Sequence, residues 1–206
     1  MDNQVLQNVK TQEIENGVIL NKNINVESFV LIGEINNFDL IDKLIIHLKK
    51  VIGNSLISGK TNVKAEHSDW QSFVQEPDFH YFLKIIHPFI HSIYKKNFIV
   101  REVWGNIYSK KNHHAIKHSH KGSAFCGILY CTDGPGPGTY FHDYDITVNE
   151  KKGRFVLFSP LLYHSVNKFN YSNERITVAF NFDEWSDVES QSNNYKINVI
   201  NKEIKL

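Results

Sequence analysis

His118, Ser119 and His120 are followed by a lone His164 forty-four residues later and by Arg175 eleven residues after that, all within the stretch 104–181. On an extended strand, residues two apart point to the same face, with Cβ atoms about 7 Å apart by strand rise. Two imidazoles so placed can converge on one cation, and neutral imidazoles suit Fe, Zn, Cu or Ni. A third ligand must come from another strand. His164 is the natural candidate, because RFVLFSPLLYH reads as a strand and a turn that bring it back beside the pair. A His-x-His pair alone is more often two exposed histidines on a polar strand. Adding His164 and Arg175 makes the metal reading the stronger one, with His118, His120 and His164 as both metal ligands and catalytic centre.

Arg175 opens the strand RITVAFNF. Alternation puts Arg175, Thr177, Ala179 and Asn181 on one face and the apolar Ile176, Val178 and Phe180 on the other. A guanidinium and a hydroxyl two residues apart make a carboxylate receptor, a planar fork plus one more donor. The plainer alternative is an arginine paired with a surface acid such as Glu174.

The elements that must position these groups are short strands. From Phe98 onward the pattern has period two, and FIVREVWGNIY, SAFCGILYC, TYFHDYDITV, RFVLFSP, HSVNKF and RITVAFNF read as strands separated by turn residues. TDGPGPG is too rich in helix and strand breakers to be anything but a loop. Two amphipathic helices precede this series. Leu40, Ile41, Leu44, Ile45, Leu48, Val51 and Ile52 fall at helical spacing, with Asn37 as N-cap and Gly53 as stop. Pro77 opens the second helix, whose stripe runs from Phe79 to Tyr94, and Pro88 should kink it or end its first half. Trp70 and Phe73 are expected to anchor the intervening segment. Residues 1–35 read as two or three strands with a turn at Asn16-Gly17, and YKINVI near the end as an edge strand.

Several candidates read as bland. His47 sits on the polar side of the first helix and is expected to be solvated. His87 and His91 have i, i+4 spacing, but no carboxylate motif accompanies them and Pro88 disturbs the turn. Cys126 and Cys131 lie five apart on one strand, so they point to opposite faces and stay free thiols.

The totals bound the class. The chain has 206 residues, 41% of them apolar and 22% charged, and a net charge of +1. That is one domain of ordinary composition over 1–206, divided into N-terminal strands and helices (1–97), a strand-rich core (98–183) and a polar tail (184–206). No basic stripe suggests nucleic acid, and no apolar run reaches the ~20 residues of a membrane span. A cytoplasmic protein is expected.

The blocks His118-x-His120, CGILYC, the glycine-rich loop with TYFHD, GRFVLFSPLLYHSV and ERITVAFN together resemble the 2-oxoglutarate- and Fe(II)-dependent oxygenases, in their prolyl-hydroxylase-like branch. The resemblance covers about residues 101–182 and is closest to bacterial and phage oxygenases with a His-x-His motif. It implies an α+β, mainly β fold: a double-stranded β-helix (jelly roll, cupin-like) buttressed by two N-terminal helices. It implies Fe(II) at His118 and His164, with 2-oxoglutarate and O2 as cosubstrates. The distal carboxylate of 2-oxoglutarate would meet Arg175, Thr177 and Tyr130, and Tyr108 would be a further pocket tyrosine. The reaction would hydroxylate a small molecule or peptide while 2-oxoglutarate is decarboxylated to succinate, in a bacterial or phage-encoded protein acting alone or as a homodimer. The HKGSAF and GPGPG loops would border the substrate mouth.

One position departs from the family pattern. The usual triad is His-x-Asp/Glu followed by His, and here the carboxylate position is His120. Either His120 replaces it or Asp143 supplies the carboxylate. Two other classes stay open: a cupin-like three-histidine metalloenzyme that does not use 2-oxoglutarate, and a noncatalytic jelly-roll binding module.

Overall fold

The computed structural model describes residues 9–14, 17–23, 27–52, 61–94, 96–134 and 136–185. In chain order the first elements are β1 (Val9–Ile14), β2 (Gly17–Asn23), β3 (Glu27–Glu34), α1 (Phe38–Ile52), β4 (Val63–Lys64), β5 (Glu66–His67) and α2 (Pro77–Ile93). Then come β6 (Phe98–Tyr108), β7 (His114–His118), β8 (Phe125–Tyr130), β9 (Thr139–Phe141), β10 (Ile146–Val148), β11 (Arg154–Phe158), β12 (His164–Val166) and β13 (Arg175–Glu184). The expected stop at Gly53, the turn residue Asn16 and the YKINVI strand lie outside the described residues.

The strands form two antiparallel sheets. The larger has the order β1-β2-β3-β11-β8-β13-β6-β5 and the smaller β10-β9-β12-β7-β4. This is the double-stranded β-helix that the sequence suggests, with both helices on the outer face of the large sheet. The N-terminal strands extend that sheet directly, because β3 pairs with β11 from Glu34↔Arg154 to Val30↔Phe158. TYFHDYDITV is two strands, not one. It folds back as the β9–β10 hairpin, with Asp145 in the left-handed region at φ 55°.

Alternation on the long central strands separates two interiors. Val100, Val103, Ile107, Phe125, Leu129, Ile176, Val178 and Phe180 pack against Leu40, Leu44, Leu48, Phe79, Phe82 and Ile86 of the helices. The opposite faces close between the sheets in two separate clusters, one around Cys126, Ile128, Phe141 and Phe158, the other around Val63, Tyr108, Ala115 and Val166. Cys126 and Cys131 fall on opposite sides of the large sheet and are free and buried. Burial pushes both thiols up, so neither is a nucleophile at neutral pH.

Local chemistry explains the helices. Asn37 Oδ1 accepts the Leu40 backbone N–H at 3.2 Å, capping α1 as expected. Gly105 lets α1 lie close on β6, since a Cβ there would stand 2.3 Å from Leu48 Cδ1. α2 runs through Pro88 as one element, so Pro88 does not end its first half. The missing N–H deprives the Lys84 carbonyl, and Lys84 is exposed, so water can serve it. His47 differs from expectation. It is only 24% exposed in its side chain, sits 2.8 Å from Glu76 Oε2 and contacts the Ser72 carbonyl at 2.9 Å, tying α1 to the start of α2. Phe73 is fully buried as an anchor, whereas Trp70 is 39% exposed with its edge against Trp104. No described helix is long and apolar enough to cross a membrane.

Candidate metal centre

His164, the first residue of β12, pairs across the ladder with His118, the last residue of β7. That register holds their ring centroids 4.3 Å apart. His120 does not share the strand with His118. The chain leaves β7 after His118, and the His120 N–H donates to the Pro160 carbonyl at 2.8 Å. This turn brings the His120 ring to 5.1 Å from both of the others. The candidate ligand nitrogens of all three lie within 4.8 Å of one another, and among the described residues no other group of three or more His, Cys, Asp or Glu is so gathered. His87 and His91 stack on each other with ring centroids 6.2 Å apart and stay outside any such group.

The hydrogen bonds fix which nitrogen each imidazole presents. His118 Nδ1 lies 2.7 Å from the Ile116 carbonyl and His164 Nδ1 lies 3.2 Å from the Leu162 carbonyl. His120 Nδ1 lies 2.7 Å from Asn181 Oδ1. The Asn181 amide is oriented by its other end, where Nδ2 donates to Glu102 Oε2 at 2.8 Å. Carbonyl oxygens only accept, so every Nδ1 carries the hydrogen and every Nε2 keeps its lone pair. His120 Nε2 is buried with no partner at all. Three converging lone pairs fit a transition metal, and they are a costly arrangement without one. Burial holds all three rings neutral: it lowers His118, brings His120 down to about 4 and takes His164 well below its ordinary value, the last helped by the other two imidazoles.

Asp143 does not join the group. Its Oδ2 accepts the Tyr163 backbone N–H at 2.8 Å, bracing the turn that precedes His164. Asn181 is the outer partner that orients His120. Asn181→Leu should weaken metal binding about 10–100-fold. Competition titration with Zn(II) checks this, and an unchanged affinity would show that His120 is held by Pro160 alone.

His118 and His120 stand at the junction of two spaces. An outer cleft is lined by Trp70, Arg101, Glu102 and Trp104, and an inner cavity runs between the sheets past Asn106, Tyr108 and Thr139 to Arg175. β13 points Arg175, Thr177 and Ala179 into this inner cavity, as alternation requires. Arg175 is 1% exposed. Its guanidinium lies over the Tyr108 ring at 4.5 Å and the Tyr130 ring at 5.5 Å, a desolvated cation between two aromatic faces. Glu174 instead pairs with Lys49 on the surface. Thr177 accepts from Asn106 Nδ2 at 3.4 Å across the β13–β6 ladder.

Tyr108 and Tyr130 are placed differently. Tyr108 lines the cavity. Tyr130 turns its hydroxyl to Thr139 Oγ1 at 2.7 Å and the Val148 carbonyl at 3.2 Å, so it supports Arg175 from behind. Burial raises both phenols, partly offset by Arg175.

Glu150 is the group that motif reading misses. Its carboxylate is buried, with Oε2 3.2 Å from Arg175 Nε. The N–H is off-line, so the contact is electrostatic and not a hydrogen bond. Burial raises the Glu150 carboxyl and Arg175 opposes that rise. Removing one partner of such a buried pair costs about 3–5 kcal/mol. Gly134 and Gly136, from the glycine-rich loop expected at the mouth, lie against this carboxylate: a Cβ on Gly136 would stand 2.6 Å from Glu150 Oε2, and one on Gly134 2.7 Å from Oε1. The only sequence signal was the pair of glycines.

No protein-family model and no curated protein matches the chain. Solved structures do match in fold. A viral collagen prolyl hydroxylase from Paramecium bursaria chlorella virus-1, solved as a 2OG complex, has a TM-score of 0.57 at 16% identity, covering 75% of this chain and 96% of its own. A prolyl-4-hydroxylase from Pseudomonas putida has a TM-score of 0.54 at 16% identity, with 72% and 88% covered. The epimerase SnoN of nogalamycin biosynthesis, in complex with Fe3+ and alpha ketoglutarate, has a TM-score of 0.63 at 8% identity, with 75% and 78% covered. The chain therefore shares the double-stranded β-helix fold of these structures, with a histidine cluster able to hold a metal ion.

Proposed function

We propose that the protein is a three-histidine metalloenzyme acting on a small carboxylate-bearing ligand that lies between the histidine cluster and Arg175. The observation that carries this reading is the convergence of three neutral imidazoles, two half-buried and His164 buried, each with Nδ1 hydrogen-bonded to a carbonyl oxygen and Nε2 free. His118, His120 and His164 would hold the metal through those Nε2 atoms. A bound transition metal supplies Lewis acidity and, where it is redox-active, electron transfer. The chain's own part is positional. Arg175 and Thr177 anchor the carboxylate, Tyr108 walls the cavity, and its apolar lining of Ile128, Phe158 and Val166 keeps water out. Trp70 and Trp104 border the outer cleft from which a second reactant would approach.

Fe(II)- and 2-oxoglutarate-dependent hydroxylation is the second reading, in which substrate C–H, O2 and 2-oxoglutarate give the alcohol, succinate and CO2. It is favoured by the position of Arg175 across the cavity from the histidines and by relatives in fold that carry 2-oxoglutarate and iron. His120 in the carboxylate position and Glu150 beside Arg175 favour the reading without 2-oxoglutarate.

Anaerobic titration separates the two. Co(II) or Fe(II) should bind with a stoichiometry of about one under either reading, as a metal-ligand set of this geometry requires. Subsequent 2-oxoglutarate should produce a charge-transfer band and a calorimetric signal only under the second. Failure to bind any metal would sink both.

A further inference from the structure

Arg175 has three nitrogens, and their surroundings differ. Nε lies 3.2 Å from Glu150 Oε2 but out of line for a hydrogen bond, one terminal nitrogen donates to Thr139 Oγ1 at 3.4 Å, and the other, Nη1, has no hydrogen-bond partner. A carboxylate ligand binds arginine best through two parallel N–H groups. Here one flank of the fork is already covered by a carboxylate of the chain itself, and the Arg175–Glu150 pair is neutral as a whole.

We infer that Glu150 is a built-in competitor for Arg175: an internal carboxylate, flanked by Gly134 and Gly136, that restricts the cavity to ligands offering one carboxylate to Nη1 and lowers their affinity. The inference rests on the reading of Arg175 as a carboxylate receptor. The position of the loop supports it. Gly134 and Gly136 approach the carboxylate so closely that any side chain on either would displace it, so the loop fits around an occupied Glu150. Nη1 of Arg175 is buried with no hydrogen-bond partner, a donor left for a ligand to meet. The internal carboxylate also sets a ligand preference. A ligand with one terminal carboxylate meets the unpaired Nη1, whereas one that needs the whole fork must push Glu150 aside.

The test uses the full chain, with and without Zn(II), and two probes, 2-oxoglutarate and glutarate, followed by calorimetry. Glu150→Gln keeps shape and removes charge. It should bind at least one probe roughly tenfold tighter than wild type or better, a difference of about 1.4 kcal/mol. The gain should vanish in the Glu150→Gln/Arg175→Met double variant. Binding by Glu150→Gln alone, with none by wild type, supports the inference in its strongest form. Wild-type binding with an unchanged or weaker Glu150→Gln overturns it and leaves the carboxylate reading intact, since Glu150 would then only hold Arg175 in place. Binding by neither protein overturns both. Should Glu150→Gln fail to fold, Glu150→Asp keeps the charge but shortens its reach. It should show a smaller gain, and no gain overturns the inference.

Discussion

His164→Ala should abolish metal binding while leaving the fold in place. His164 is both the partner of His118 in the β7–β12 ladder and the most buried of the three imidazoles, at 4% exposure. Its loss removes one of three Nε2 donors, a larger change than removing an outer hydrogen-bond partner, which already costs about 10–100-fold in affinity. For the wild type, a metal present at 100 times its dissociation constant raises stability by about 2.7 kcal/mol, because only the folded chain assembles the site. In His164→Ala that increment should vanish, with the metal-free melting temperature little lowered, since a buried imidazole with a free lone pair is itself unfavourable. Thermal melts with and without Zn(II), together with the Co(II) absorption spectrum, check this. A variant that keeps both the increment and the spectrum would remove His164 from the metal shell.

Arg175→Met should act at the opposite end of the cavity. Metal binding is retained, and carboxylate binding falls by about 10–150-fold, the range of one charge-assisted hydrogen bond of about 1.5–3 kcal/mol. The variant also strands the Glu150 carboxylate in a buried site, and the stability cost should reach the ~3–5 kcal/mol typical of a broken buried pair. Adding Glu150→Gln should recover part of that cost without restoring ligand binding. Denaturant melts measure the first effect and calorimetry the second. If Arg175→Met binds the carboxylate like wild type, the anchor lies elsewhere.

Much of this arrangement was legible in the chain itself, for reasons that differ by residue. The alternation along RITVAFNF is a local property of a strand, so the division of β13 into an Arg175/Thr177 face and an Ile176/Val178 face follows from sequence directly. The cap at Asn37 and the opposite placement of Cys126 and Cys131 are equally local. His120 was harder, because β7 ends at His118. Strand geometry would have set the two rings parallel, and the turn fastened by Pro160 and Asn181 folds one toward the other. Glu150 and His47 were not legible at all. Each gains its meaning from partners far away in sequence, Arg175 for one and Ser72 with Glu76 for the other. The glycine-rich loop announced a sharp path for the backbone but not what it wraps.

The hydrogen-bond line from His120 through Asn181 to Glu102 carries a consequence for redox tuning. Three neutral imidazoles leave the full charge of a divalent ion uncompensated, which favours its lower oxidation state. A carboxylate hydrogen-bonded one residue behind an imidazole ligand makes that imidazole a stronger electron donor. A negative charge in place of the one absent from position 120 would come from Glu102, whose Oε2 also lies 3.4 Å from Arg101, at the rim of the outer cleft, where an arriving cationic or anionic reactant would strengthen or weaken it. The midpoint potential of the centre would then respond to what occupies the cleft, before any bond to the metal has formed.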